Sequence, residues 1–339
     1  VARSANARRA REATRTTIVE SPMPTPQRRR FVPRIRALAC VLLASACTAT
    51  GAKKSSTDAD DGAPKRPIAD IVEASNKPEP IGQFLASLDG AMRRWNELQL
   101  TGTTRADREK ARKLELWLAT EAHGRRQEII EQLETGARQN RVVAAMALGF
   151  TRDVQAQSPL LAALDDREPE VVANALLGLW LLERDDTPLD KICALVRLDR
   201  EASVRTNASL CLMTLTNKGA RSPCAVEAAR LGLLDDEPSV RNHCALTLGN
   251  LLDKDSLVPL AEHLTDPVPI VALACAKSVA HIGRALPTEK GRAARALAAA
   301  LDESKGPVHD ELRLRLVELA GADHGKDSKD WIEWAMRLP

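Results

Sequence analysis

Aromatic residues are scarce in this chain. Its 339 residues include three Phe, five Trp and no Tyr, together 2%. Strands and sheet cores draw on aromatic and β-branched side chains. The apolar 44% is instead carried mainly by Ala, Leu and Val, which argues against a β-sandwich or barrel and for an all-α fold. The same fraction excludes wholesale disorder. No apolar run reaches the roughly 20 residues a membrane-spanning helix needs. There is no P-loop, dinucleotide fingerprint or GxSxG. None of His123, His243, His263, His281, His309 and His324 forms HExxH or is followed by Glu. No cofactor, metal site or catalytic residue is therefore expected, and the chain reads as a non-enzyme.

The N-terminal segment reads as an address. Residues 1–22 show no hydrophobic periodicity, and translation is expected to start at Met23. Arg28, Arg29, Arg30, Arg34 and Arg36 precede an apolar stretch from Ala37 to Ala46, which ends in the small residues Ala44-Ser45-Ala46 before Cys47. These are the parts of an export signal over 23–46. The string Leu43-Ala44-Ser45-Ala46-Cys47 resembles the lipobox of bacterial lipoproteins, with Ala44 where that family usually has Leu. The resemblance implies cleavage before Cys47 and lipid attachment to its thiol. Thr48 stands where an Asp would favour the inner membrane, so the expected location is the outer membrane, facing the periplasm.

Removing residues 1–46 takes away ten Arg and two Glu, leaving 39 basic and 44 acidic residues. The mature chain is net acidic and shows no basic stripe, so no nucleic-acid partner is expected. Residues 47–67 are rich in Lys, Ser, Asp, Gly and Pro and read as a tether behind the acylated cysteine. Some 20 flexible residues have a root-mean-square span of roughly 25 Å.

Beyond the tether the pattern is helical. Residues 68–135 read as an N-terminal cap, with helices expected near 81–98, 106–119 and 127–134. From 136 to 339 the chain repeats itself. Val171, Val204, Val240 and Val271 are followed four residues later by Ala175, Ala208, Cys244 and Cys275, and eight later by Leu179, Leu212, Leu248 and Val279. An earlier copy starts at Asn140, with Arg141, Ala144 and Leu148 in register, and a weaker one near Val308. Each copy has a second apolar helix. Such units cannot bury a face alone and must stack. The string from Asp235-Asp236-Glu237-Pro238-Ser239-Val240-Arg241 to Leu248-Gly249 resembles HEAT repeats of the short bacterial, PBS-lyase-like kind. The resemblance implies a right-handed α-solenoid of about six helix pairs that binds another protein. It also carries an alternative, an enzyme or cofactor-handling member of that family. The His-Glu pairs that build the di-iron centre of the HEAT-repeat deoxyhypusine hydroxylases are absent, and nothing points to the chromophore of the phycobilin lyases.

The site is then an interaction surface for an unidentified envelope protein, with the membrane engaged only through the lipid. Polar positions on the second helices, Asp190, Lys191, Glu227, Arg230, Glu262 and Arg295, are one candidate. The other is a basic rim at Asn217–Ser222 and Arg284–Gly291, where the longer repeats place extra residues in turns: Lys218, Arg221, Arg284 and Lys290. Paired acids such as Asp165/Asp166 and Asp235/Asp236 fall at inter-helix turns, where capping explains them. Cys244 and Cys275 occupy the small-residue column and read as buried thiols. Cys193 and Cys224 lie on neighbouring second helices, and the usual spacing of adjacent helices argues against a bond between them.

Overall fold

The computed structural model describes residues 79–339. The export signal at 23–46, the acylation site Cys47, the tether at 47–67 and the start of the cap lie outside the described residues. Among the described residues there are fifteen α-helices, five short 3-10 turns and no strand. No described helix is long and apolar enough to cross a membrane.

The three expected N-terminal helices are present as α1 (Ile81–Thr101), α2 (Arg105–Gly124) and α3 (Arg126–Thr135). Thr104 opens α2 with a capping box: its hydroxyl accepts the Asp107 N–H, and Asp107 accepts the Thr104 N–H. Six helix pairs follow. Their first helices are α4 (Arg138–Phe150), α6 (Pro169–Leu182), α8 (Ala202–Lys218), α10 (Pro238–Leu251), α12 (Pro269–Ala285) and α14 (Gly306–Ala320). Their second helices are α5 (Gln157–Ala162), α7 (Asp190–Leu198), α9 (Pro223–Gly232), α11 (Leu257–Glu262), α13 (Lys290–Glu303) and α15 (Ser328–Met336). Each first helix packs on the next, and the chain is an all-α solenoid.

The repeat columns make the core. Val171, Val204, Val240 and Val271 are fully buried, as are the Ala175 and Leu179 columns that follow them. Burying each Val or Leu contributes roughly 1.5–3 kcal/mol, so every junction is stabilised by the same few positions. Small residues let the helices close up. A Cβ on Gly149 would sit 2.6 Å from the Gly178 carbonyl oxygen, so α4 and α6 meet backbone to backbone. At the N-terminal end Trp95 of α1 meets Phe150 of α4 edge-on, with ring centroids 5.1 Å apart. At the other end Trp331 of α15 is fully buried and donates its indole N–H to the Gly325 carbonyl at 3.0 Å.

The acids before the first helices do as the sequence implied. Asp166, Asp199, Asp235 and Asp266 each accept the backbone N–H two residues on, at 2.8–2.9 Å. Proline then opens α6, α10 and α12, where its missing N–H costs nothing. Three of these acids also tie one repeat to the one before. Arg141 grips Asp166 with Nε at 2.8 Å and Nη2 at 3.1 Å. Arg205 grips Asp235 at 2.7 and 3.0 Å, and Arg241 grips Asp266 at 2.9 and 3.0 Å. The same guanidiniums donate to carbonyls of their own preceding turn: Gly136, Asp199 and Arg200, and Asp235 and Asp236. Each rung thus fixes both the turn and the next helix.

Two expectations are corrected. The extra residues of the longer repeats are not mainly turns. The first helices α8 and α12 run 17 residues against 14 for α6 and α10, so about one helical turn absorbs most of the extra length. Extending a helix satisfies the backbone of the added residues internally, which a loop cannot do. Cys193 and Cys224 do form a disulfide, with their Cα atoms 6.0 Å apart. Both sit near the N-terminal ends of short second helices, which approach more closely there than the general spacing suggests.

Candidate interaction surface

Most of the polar side chains expected on the second helices are already engaged. Lys191 donates to the Leu161 carbonyl at 3.1 Å and pairs with Asp165. Glu227 pairs with Arg197 at 3.1 Å. Arg230 binds Asp253 at 2.5 Å and the Ser256 hydroxyl at 2.8 Å, tying α9 to the turn before α11. Arg295 donates to the Leu338 carbonyl at 3.2 Å and so anchors the C-terminal end. Asp190 and Glu262 are exposed.

The basic rim is largely compensated. Lys218 pairs with Glu183 at 2.7 Å, and Arg284 lies 3.8 Å from Glu318. Arg221 donates to the Thr216 and Ala220 carbonyls at 2.7 and 2.8 Å, closing the end of α8. Lys290 opens α13 and is half-buried. Lys218, Arg221 and Arg284 thus serve as ties to neighbouring elements.

A different surface stands out, on the edge formed by the inter-repeat turns. The Arg–Asp rungs form the floor of open notches. One, of about 300 Å³, is lined by Glu134, Thr135, Gly136, Arg141, Asp166 and Arg167. The next, of about 330 Å³, is lined by Arg197, Leu198, Asp199, Arg205, Leu234, Asp235 and Asp236. The two are the same feature in different repeats, and their rims differ. The residue just before the turn-capping aspartate is Asp165 in the first copy, then Leu198, Leu234 and Thr265. Leu198 and Leu234 are 73% and 74% exposed. Leu231, one turn back on α9, is also exposed. The second notch thus has two unburied leucines, each on its own repeat, standing over three carboxylates and two guanidiniums. Both guanidiniums are committed, Arg197 to Glu227 and Arg205 to Asp235.

Helical periodicity did not single out these leucines. Leu198 ends α7 and Leu234 lies two residues past α9, close to the buried Leu189 and Leu233, and nothing in the spacing separates the exposed leucines from the buried ones. Aligning the turn position across repeats would have shown it, because the neighbouring copies carry Asp and Thr there.

Ser209, His243 and the three free cysteines are buried away from solvent. Ser209 Oγ lies 3.1 Å from His243 Nδ1, the spacing of a nucleophile and its base. Both are buried, and desolvation pushes the His243 pKa down to about 4, against a weaker opposing bond to the Thr206 backbone. The pair is a neutral hydrogen bond between α8 and α10. Cys211, Cys244 and Cys275 are buried free thiols, and burial pushes all three pKa values up, that of Cys275 to about 12. In the rungs, burial works to raise the Asp166 and Asp266 carboxyls. The Arg141 and Arg241 guanidiniums and the backbone N–H groups outweigh it, and both pKa values are lowered. Among the described residues no group of three His, Cys, Asp or Glu side chains is arranged to hold a metal ion.

No protein-family profile and no curated protein matches the chain. Among the solved structures with a similar backbone are designed armadillo repeat proteins and other engineered proteins. A designed armadillo repeat protein is 18% identical and covers 57% of this chain and 98% of its own, with a TM-score of 0.46. A computationally designed armadillo repeat protein for modular peptide recognition gives the same values. An engineered protein aligns over 79% of this chain and 76% of its own, at 15% identity and a TM-score of 0.47. At this level the likeness adds nothing about function, and the solenoid rests on the chain's own helix packing.

Proposed function

We propose that the chain is a non-catalytic scaffold of the bacterial envelope. It is a HEAT-like solenoid, held at the outer membrane by lipid on Cys47, that keeps another protein at the periplasmic face. The export signal and the Leu43–Cys47 string support the anchor. The observation that carries the docking role is the pair of exposed leucines, Leu198 and Leu234, over the notch at the third repeat, between the turns that precede α8 and α10. Two large apolar side chains at positions that are polar in the flanking repeats favour burial by a partner. With both guanidiniums paired internally, the carboxylates of Asp199 and Asp236 set the sign of the free charge. The partner is therefore a protein segment that offers apolar side chains next to a cation.

Photo-crosslinking in living cells from exposed positions near the notch, such as 194 and 200, tests this. The expected result is one dominant adduct with an envelope protein, lost in Leu198→Asp/Leu234→Asp and weakened in Cys47→Ala. An adduct with a second copy of the chain would assign the notch to self-association. An adduct that survives the leucine substitutions would move the site elsewhere. Fatty-acid labelling of the wild type, absent in Cys47→Ala, tests the anchor separately.

A further inference from the structure

The junction between the second and third repeats is built differently from those beside it. In the first, third and fourth repeats an arginine, Arg141, Arg205 or Arg241, reaches forward to the aspartate of the next repeat. In the second repeat that position is Val172, buried at 5%. Asp199, across the junction, keeps its turn-capping bond to the Glu201 N–H, but its carboxylate receives no guanidinium. The buried polar tie from α8 back to α6 is Asn207, whose Nδ2 donates to the Ala173 carbonyl at 3.1 Å, and the partly exposed Lys218–Glu183 pair joins the far ends of the two helices. Its Oδ1 is buried without a partner, which weakens the net gain from that bond. The Cys193–Cys224 disulfide spans this same junction, joining α7 of the second repeat to α9 of the third.

We infer that the Cys193–Cys224 disulfide takes the place of the missing Arg–Asp rung and makes this junction a redox-controlled break point in the array. In a stack where each repeat touches only its neighbours, the weakest junction decides where the array opens. With the disulfide intact the junction is held covalently. Once it is cut, the junction keeps its apolar packing, one incompletely satisfied asparagine and two partly exposed ion pairs, Lys218–Glu183 and Arg197–Glu227, which solvent screens and which therefore contribute little, while the junctions on either side keep their more buried bidentate rungs.

The bond is placed to be cut by a dithiol. Cys193 is buried and Cys224 half-buried, so an attacking thiolate meets Cys224 first. That thiolate bonds to the Cys224 sulfur, the S–S bond breaks, and the electron pair leaves on the Cys193 sulfur, which takes up a proton. The second thiolate of the dithiol then closes on the first, releasing Cys224. In all, two electrons and two protons pass from the dithiol, which becomes a disulfide, to the two cysteines. Cys224 is the second residue of α9, and the Ser222 hydroxyl lies 3.3 Å from its sulfur. Both features stabilise the released thiolate.

Hydrogen exchange on the full chain, with and without dithiothreitol, tests the inference. Reduction should speed exchange in α6 and α8 on the order of 100-fold, and leave α10 and α12 close to their oxidised rates. Val172→Arg offers the Asp199 carboxylate the guanidinium it lacks, with the Asp166 and Arg167 carbonyls at the same offsets along the chain as the carbonyls that Arg205 and Arg241 use. It should restore most of the lost protection in the reduced protein and change little in the oxidised one. Cys193→Ala/Cys224→Ala should show the reduced pattern without reductant; if that variant does not fold, the reduced wild type carries the test alone. Equal protection in both redox states, a loss spread evenly over all six repeats, or no rescue by Val172→Arg would each overturn the inference.

Discussion

At the scale of single residues, burial decides which chemistry is silent. His243 is neutral in the folded chain because its pKa is lowered to about 4, whereas unfolded histidine titrates near 6.5. Between those values the unfolded chain binds the extra proton. The contribution of neutral His243 is therefore fully present above about pH 6.5 and lost as pH falls toward 4, for a total of about 3 kcal/mol. Urea unfolding at pH 7 and pH 4.5 should show this loss, and His243→Gln should flatten it. The raised pKa values of Cys211, Cys244 and Cys275 predict no alkylation by iodoacetamide in the native protein. Mass spectrometry should find all three modified only after unfolding.

At the scale of elements, the rungs and the helix ends carry the individual costs. Asp266 is 3% exposed and its partner Arg241 12%. Arg241→Met leaves that carboxylate buried without its cation, and should cost about 3 kcal/mol. The pair Arg337–Glu333, 77% and 71% exposed, is the control. Arg337→Met should change stability by less than about 0.5 kcal/mol. Gly219 ends α8 with φ of 118°, and Gly219→Ala should cost about 1 kcal/mol although nothing crowds a Cβ there. Denaturant midpoints of the three variants check the order.

At the scale of the whole array, stability is a sum over junctions, so damage at one end stays near that end. Trp331 is the lid on the last pair, fully buried and flanked by His324 at 5.0 Å and Trp334 at 5.8 Å between ring centroids. Trp331→Ala should cost about 3–5 kcal/mol locally. Its hydrogen-exchange signature should be lost protection in α13 and α14 with α4 and α6 unchanged. A uniform loss across all pairs would instead mean that the array folds as one indivisible unit.

Helix positions and the core columns were legible in the sequence because each repeat solves the same packing problem with the same periodicity. Val171, Ala175 and Leu179 recur in place after place and are fully buried. The acids before the first helices were legible as caps, since an aspartate two residues ahead of an N–H acts locally. The surface was not legible. Lys218 and Arg221 look like a free basic edge until the partners Glu183, Thr216 and Ala220 are brought beside them by folding. Leu198 and Leu234 share the composition of buried leucines, and only their place at the mouth of an inter-repeat notch leaves them uncovered. The Cys193–Cys224 bond depends on how closely two short helices approach, a distance no spacing along the chain encodes. Local patterns decide which face of a helix is buried; contacts across junctions, which join residues some 25 to 35 positions apart, exist only once the repeats have stacked.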